Sequence, residues 1–155
     1  MLGMTKSIRS ALIALLVACF ASIAMAAKDP TIEELKDRLK STSVGDRPRL
    51  CVQIAERQLD AANKSFAADE SDKAKAALAD VVAFSEFARD YAIQSHKHQK
   101  QTEIAVRTMI RKLNDLKHTV AHDDQAAIQD AIDRLQRVRD DLLLAMFPHG
   151  REGKK

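Results

Sequence analysis

Between residues 49 and 147 the chain contains no proline and no glycine. Nearly a hundred residues therefore lack the two strongest backbone breakers, and no stretch among them alternates apolar and polar side chains over the length of a strand. That excludes a turn-rich β architecture and leaves helix, for which Ala, Leu, Lys, Arg, Gln and Asp supply the composition. The marks of chemistry are missing too. No G-x-S-x-G elbow places a nucleophile. Neither a Gly-rich phosphate loop nor an H-E-x-x-H pair is present, and the absence of C-x-x-C-H excludes covalent haem attachment. The expectation is no enzyme and no cofactor.

Acidic residues are absent from the first 26 positions, where Lys6 and Arg9 precede the apolar run 11–18 (ALIALLVA) and an Ala24-Met25-Ala26 site. This is the three-part layout of a secretory signal peptide, with an apolar stretch too short for a stable membrane span. Leu16-Val17-Ala18-Cys19 resembles the lipobox of bacterial lipoproteins, which implies lipidation at Cys19 as the alternative to cleavage after Ala26. Removing Lys6 and Arg9 leaves 23 basic residues against 22 acidic ones. A chain so near neutrality offers no general electrostatic case for DNA, RNA or an anionic membrane as partner. Membrane association is expected only through Cys19. Cleavage after Ala26 leaves Cys51 as the single cysteine. It must then be buried, paired with another chain, or reactive.

Apolar spacing divides the remainder into helical segments. Thr31 and Glu34 fit a capping box that opens a helix over 31–41. Gly45 and Pro48 mark a linker, with Asp46 placed to cap a helix over 48–67 whose stripe is Val52, Ala55, Leu59, Ala62 and Phe66. An acidic turn at 68–71 follows, in which Asp69 or Ser71 is placed to cap the next helix. Two further stripes run through Ala74, Val81, Phe84 and Ala88 and through Thr102, Val106, Met109, Leu113 and Leu116. A last helix over 125–147, capped by Asp123 or Asp124, carries Ile128, Ala131, Leu135, Val138 and Leu142. The expected divisions are a signal peptide over 1–26, a short helix and linker over 27–48, a helical domain over 49–147 and a basic flexible tail over 148–155.

The polar segment 94–101 contains no Gly, Pro, Asn or Asp, and the heptad positions 74, 81 and 88 continue in register through 95, 102, 109 and 116. This spacing predicts one helix from 72 to 121, about 75 Å long at 1.5 Å per residue. The fold expected is all-α, with antiparallel helical hairpins sharing that long central helix. The alternative is a compact four-helix bundle broken near 96–101. Residues 89–118 carry seven basic and three acidic side chains, and 119–141 carry three basic and six acidic ones. The two arms of the second hairpin are thus complementary in charge. Residues 90–98 are left for the first helix or for a partner to cover.

Asp115, His118 and His122 share one face if the helix runs to 121, and such spacing presents metal ligands. That face lies about 155° from the apolar stripe and so meets solvent. An ordinary polar surface explains it better than a transition-metal site does. His96 and His98, two apart, diverge on a helix and would chelate only from a loop. Ala62, Phe66, Ala74 and Leu78 loosely resemble a tetratricopeptide hairpin. The turn lacks that family's small residue, the following helix is too long, and no second copy appears at a 34-residue offset. The whole chain resembles uncharacterised exported helical proteins of bacteria, a resemblance that brings no activity with it.

Three functions remain to be weighed. The first is a non-catalytic envelope protein, periplasmic or secreted, that works by binding a protein partner or by self-association. Ile93, Ile104, Ile110 and Leu143 lie off the main stripes and are available to such an interface. The second is a periplasmic stress- or metal-responsive protein using the surface histidines. The third, an enzyme, would require a concave pocket with convergent polar groups.

Overall fold

A computed structural model describes residues 29–148. The expected signal peptide, its rival lipidation site Cys19 and the expected tail beyond Pro148 lie outside them. Five helices follow in order: α1 (Ile32–Ser41), α2 (Arg47–Ala67), α3 (Ser71–Ser95), α4 (Gln99–Lys117) and α5 (His122–Met146). They belong to one unit that begins at Thr31. Among the described residues no helix is long and apolar enough to cross a membrane.

The helix starts follow local chemistry in part. Thr31 Oγ1 accepts the Glu34 N–H at 3.2 Å, and the Glu34 carboxylate accepts the Thr31 N–H at 2.8 Å, so the capping box forms. The other expected caps do not. Asp46 occupies the cap position of α2 without bonding the helix; its carboxylate accepts the Ser43 hydroxyl instead. Asp69 adopts a left-handed backbone (φ 58°), a conformation Asp tolerates better than most residues, and closes the turn before α3. Ser71 and Asp124 serve tertiary structure: the Ser71 hydroxyl donates to the Asp124 carboxylate, joining the starts of α3 and α5. Asp123 and Asp124 both lie inside the first turn of α5, where their charge suits the helix dipole.

Two antiparallel hairpins, α2–α3 and α4–α5, pack into a four-helix arrangement. Gln58 Nε2 donates to Asp80 across the first hairpin at 2.7 Å, in the register expected for a fold about residues 69–70. Arg139 Nε donates to Glu103 across the second at 3.2 Å, and Lys117 Nζ donates to Gln129 at 2.7 Å. The hairpins meet chiefly through α3 and α5, which run parallel. Glu86 pairs with Arg134 at 2.8 Å and Arg89 with Asp141 at 3.0 Å along that seam. Ala55, Leu59, Val81, Val106, Met109, Leu113, Ile128, Leu135, Val138 and Leu142 form one shared core, with Phe84 packed partly buried against it. The expected stripes therefore face inward, except that in α2 Ile54 is buried while Val52 is only partly so.

The long central helix is not formed. Helix α3 stops at Ser95, and both His96 (φ 55°) and His98 (φ 61°) take the left-handed backbone before α4 begins. The Ser95 hydroxyl donates to the Tyr91 carbonyl and accepts the Lys97 N–H, which helps to end the helix. Each left-handed non-glycine residue costs on the order of 1–2 kcal/mol. A straight helix would carry residues 99–117 away from α2 and α3. Folding back buries Val106, Met109, Leu113 and Leu116 in the shared core, at roughly 1.5–3 kcal/mol per large side chain. Burial outweighs the backbone strain. The unbroken heptad register reflects a core that continues on both sides of the turn.

Helix α1 does not cover residues 90–98. It lies along α2, burying Leu35, and its Lys36 reaches α3 at Asp80 (3.7 Å) and the ring of Phe84. Arg47 takes up Tyr91, its guanidinium 5.1 Å from the ring centre, while Ala92 and Ile93 join the core. The α1–α2 linker passes close to the α3–α4 turn. A methyl group on Gly45 would stand 2.9 Å from Lys97 Cδ, at the flexible end of that side chain.

Candidate functional site

The residues singled out for chemistry are dispersed. Helix α4 ends at Lys117, so Asp115, His118 and His122 do not share a helical face as their spacing suggested. Asp115 stands in the last turn of α4, His118 is its exposed cap, and His122 opens α5 after a turn. Among the described residues no group of three or more His, Cys, Asp and Glu side chains is placed to hold a metal ion. His96 is exposed in its turn, and the nearest acidic partner of His98 is Asp46, 3.9 Å away.

Cys51 is buried in α2, and burial pushes its thiol up to about 12, against the opposing charge of Arg47. A thiol held in its neutral form is a poor nucleophile and a poor metal ligand. Among the described residues the buried acid is Glu103, held by Arg139 at 3.2 Å and Arg107 at 3.6 Å. No buried side-chain nitrogen or oxygen among those residues lacks a hydrogen bond. These polar groups are explained by structure.

The clefts are open rather than enclosed. One, of 340 Å³, runs between α2 and α4 and is lined by Asp60, Asn63, Lys112, Asp115 and the edges of Leu59, Leu116 and Thr119. A second, of 540 Å³, lies on the outer face of α4 among Ile104, Arg107, Thr108, Ile110, Arg111 and Asn114. This second surface is distinctive. Ile104 is 41% exposed, whereas Ile93 and Ile110 pack against the core. At 100° per residue, Lys100, Ile104, Arg107 and Arg111 occupy one arc of about 60° on α4. That arc flanks the α4–α5 seam, on the side away from α2.

On the other flank of the seam, α5 presents Asp133, Asp140 and Leu144 within an arc of about 40°. Leu144 is 41% exposed and Phe147, just past the helix, is 65% exposed. The charge complementarity of the two arms is therefore real in composition, but it is not consumed inside the chain. Lys100, Arg111 and Asp140 make no ion pair or side-chain hydrogen bond among the described residues. The direct cross-hairpin ion pair is the reverse of the expected one, with the acid on α4 and the base on α5.

Of this face, the off-stripe spacing of Ile104 marked one residue in advance. Leu144 escaped notice because it adjoins Leu142 and Leu143 and reads as part of an apolar end. Comparison with family models, with curated proteins and with solved structures finds no match to this chain.

Proposed function

We propose that this chain is a non-catalytic protein of the cell envelope that works by binding another protein through the outer face of α4 and α5. The observation that carries the reading is the 540 Å³ groove on α4, where exposed Ile104 lies beside Arg107 and Arg111. An apolar anchor flanked by arginine suits protein recognition, because the anchor supplies burial and the guanidinium supplies direction. Export rests on the layout of residues 1–26, which supports a location in the periplasm or outside the cell.

A photo-crosslinking residue at Thr108, beside the groove, tests the binding face in cells. A discrete protein adduct at Thr108, absent when the same probe replaces Gln53 on α2, is the expected result. No adduct from Thr108 would defeat the assignment of this face. Mass spectrometry of the exported protein tests the location separately, with an N-terminus at Ala27 or a lipidated Cys19 expected and an intact Met1 excluded.

A further inference from the structure

We infer that the occupant of the α4–α5 outer face is a second copy of this chain, related to the first by a two-fold axis parallel to the helices. The inference rests on the binding face just described and names its partner.

Charge complementarity and register together point to this occupant. Helix α4 presents Lys100, Arg107 and Arg111 outward, and α5 presents Asp133 and Asp140 beside them. A face that carries both signs on two neighbouring helices is self-complementary when rotated by half a turn about an axis along the helices. The rotation sets α4 of one copy over α5 of the other, and α5 over α4. This is an isologous contact, so every pair is made twice.

Level is preserved by that rotation, and level is read within one chain. Glu103 meets Arg139 and Lys117 meets Gln129 across the antiparallel α4–α5 pair. Arg111 therefore stands level with the turn around Asp133, Ile104 with Asp140, and Lys100 with Leu144. Across the two-fold, Arg111 meets Asp133 of the second copy, and Arg107 stands between the levels of Asp133 and Asp140, with the exposed Arg137 at the edge of that arc. Ile104 and Leu144 then fall at one end of the contact and are shielded there from water. Ile104 of one copy and Leu144 of the other lie about one turn apart at that end. Arg111 and Asp140, which have no ionic partner among the described residues, find one on the second copy. An inverted copy, with α4 laid on α4 and α5 on α5, would set Arg111 against Arg107 and Asp133 against Asp140, and like charges oppose it.

The test is a charge swap read by sedimentation equilibrium on the full exported chain. Wild type is expected to dimerise. Arg111→Asp alone sets two carboxylates against each other at this contact, twice per dimer. Asp133→Arg alone sets two guanidiniums against each other there, again twice. Each variant is therefore expected to be monomeric. A heterodimer of the two variants holds one attractive pair with its charges exchanged and one native pair, so the mixture is expected to dimerise while neither component does. Circular dichroism of each variant, expected to match wild type, removes unfolding as the cause of dissociation.

A monomeric wild type overturns the inference, as does a mixture that stays monomeric. Neither result touches the broader reading, which stands or falls on the adduct at Thr108. An adduct to a different protein together with a monomeric wild type would sink the second copy and keep the face.

Discussion

The turn at His96–Lys97–His98 yields a prediction in which the sign of the effect is diagnostic. His96 and His98 sit at φ 55° and 61°, and Lys97 between them does not share that conformation. A left-handed residue with a Cβ is strained by about 1–2 kcal/mol relative to glycine. Glycine gives part of this back, because its unfolded chain is freer by roughly 0.5–1 kcal/mol. His96 is exposed and has no side-chain hydrogen bond to lose. His96→Gly should therefore stabilise the fold by about 0.5–1 kcal/mol. Lys97→Gly, at a position with no such strain, should destabilise it by about the same amount. The assay is urea denaturation at constant slope, so that a shift in midpoint reports stability alone. A continuous helix through this segment would make both glycines destabilising, by about 1 kcal/mol each. Loss of stability in His96→Gly would refute the turn and restore the long helix.

Other outcomes follow from residues already described. Leu135→Ala and Leu113→Ala remove fully buried side chains, and each should lower stability by about 2–5 kcal/mol in the same denaturation assay. Cys51 should resist a thiol reagent in the folded protein at neutral pH and react at once in denaturant, because burial pushes its thiol up to about 12; rapid labelling of the native state would contradict that burial. Asp124 is held below the usual carboxylate range by the Ser71 hydroxyl and then by Lys75 at 2.9 Å. Its contribution is present above the unfolded carboxylate value and disappears as pH falls through the lower folded value. Asp124→Asn should therefore reduce thermal stability at neutral pH, and the gap to wild type should close below about pH 4.

Periodicity and local caps carried most of the fold. The Thr31–Glu34 box was legible because both of its bonds lie within four residues. The stripes through Leu59, Val81, Leu113, Leu135 and Leu142 were legible because burial repeats at helical spacing. Residues 94–101 misled because propensity measures only the local cost of a turn. The gain from folding back belongs to Val106, Met109 and Leu113, meeting helices far away in sequence. Asp46, Ser71 and Asp124 misled for a similar reason. A short polar side chain beside a helix start reads as a cap, whereas here Ser71 and Asp124 bond each other across 53 positions. The proposed binding face was half visible. Spacing set Ile104 apart and composition gave the two arms opposite charge. Only the packed hairpin shows that those charges point outward together.

The parallel seam between α3 and α5 also bears on how the chain folds. Each antiparallel hairpin joins residues close in sequence, so α2–α3 and α4–α5 are low-contact-order units able to form early. The seam joins positions about fifty residues apart, as Arg134 with Glu86 and Asp141 with Arg89 show. Its loop-closure entropy is recovered only after both hairpins exist. With the seam formed last, substitutions along it are expected to act mainly on the rate of unfolding, which unfolding and refolding kinetics would check. Where cleavage outpaces reclosing, the lifetime of the folded chain is then expected to depend on this seam, on a few ion pairs and the apolar rows between them.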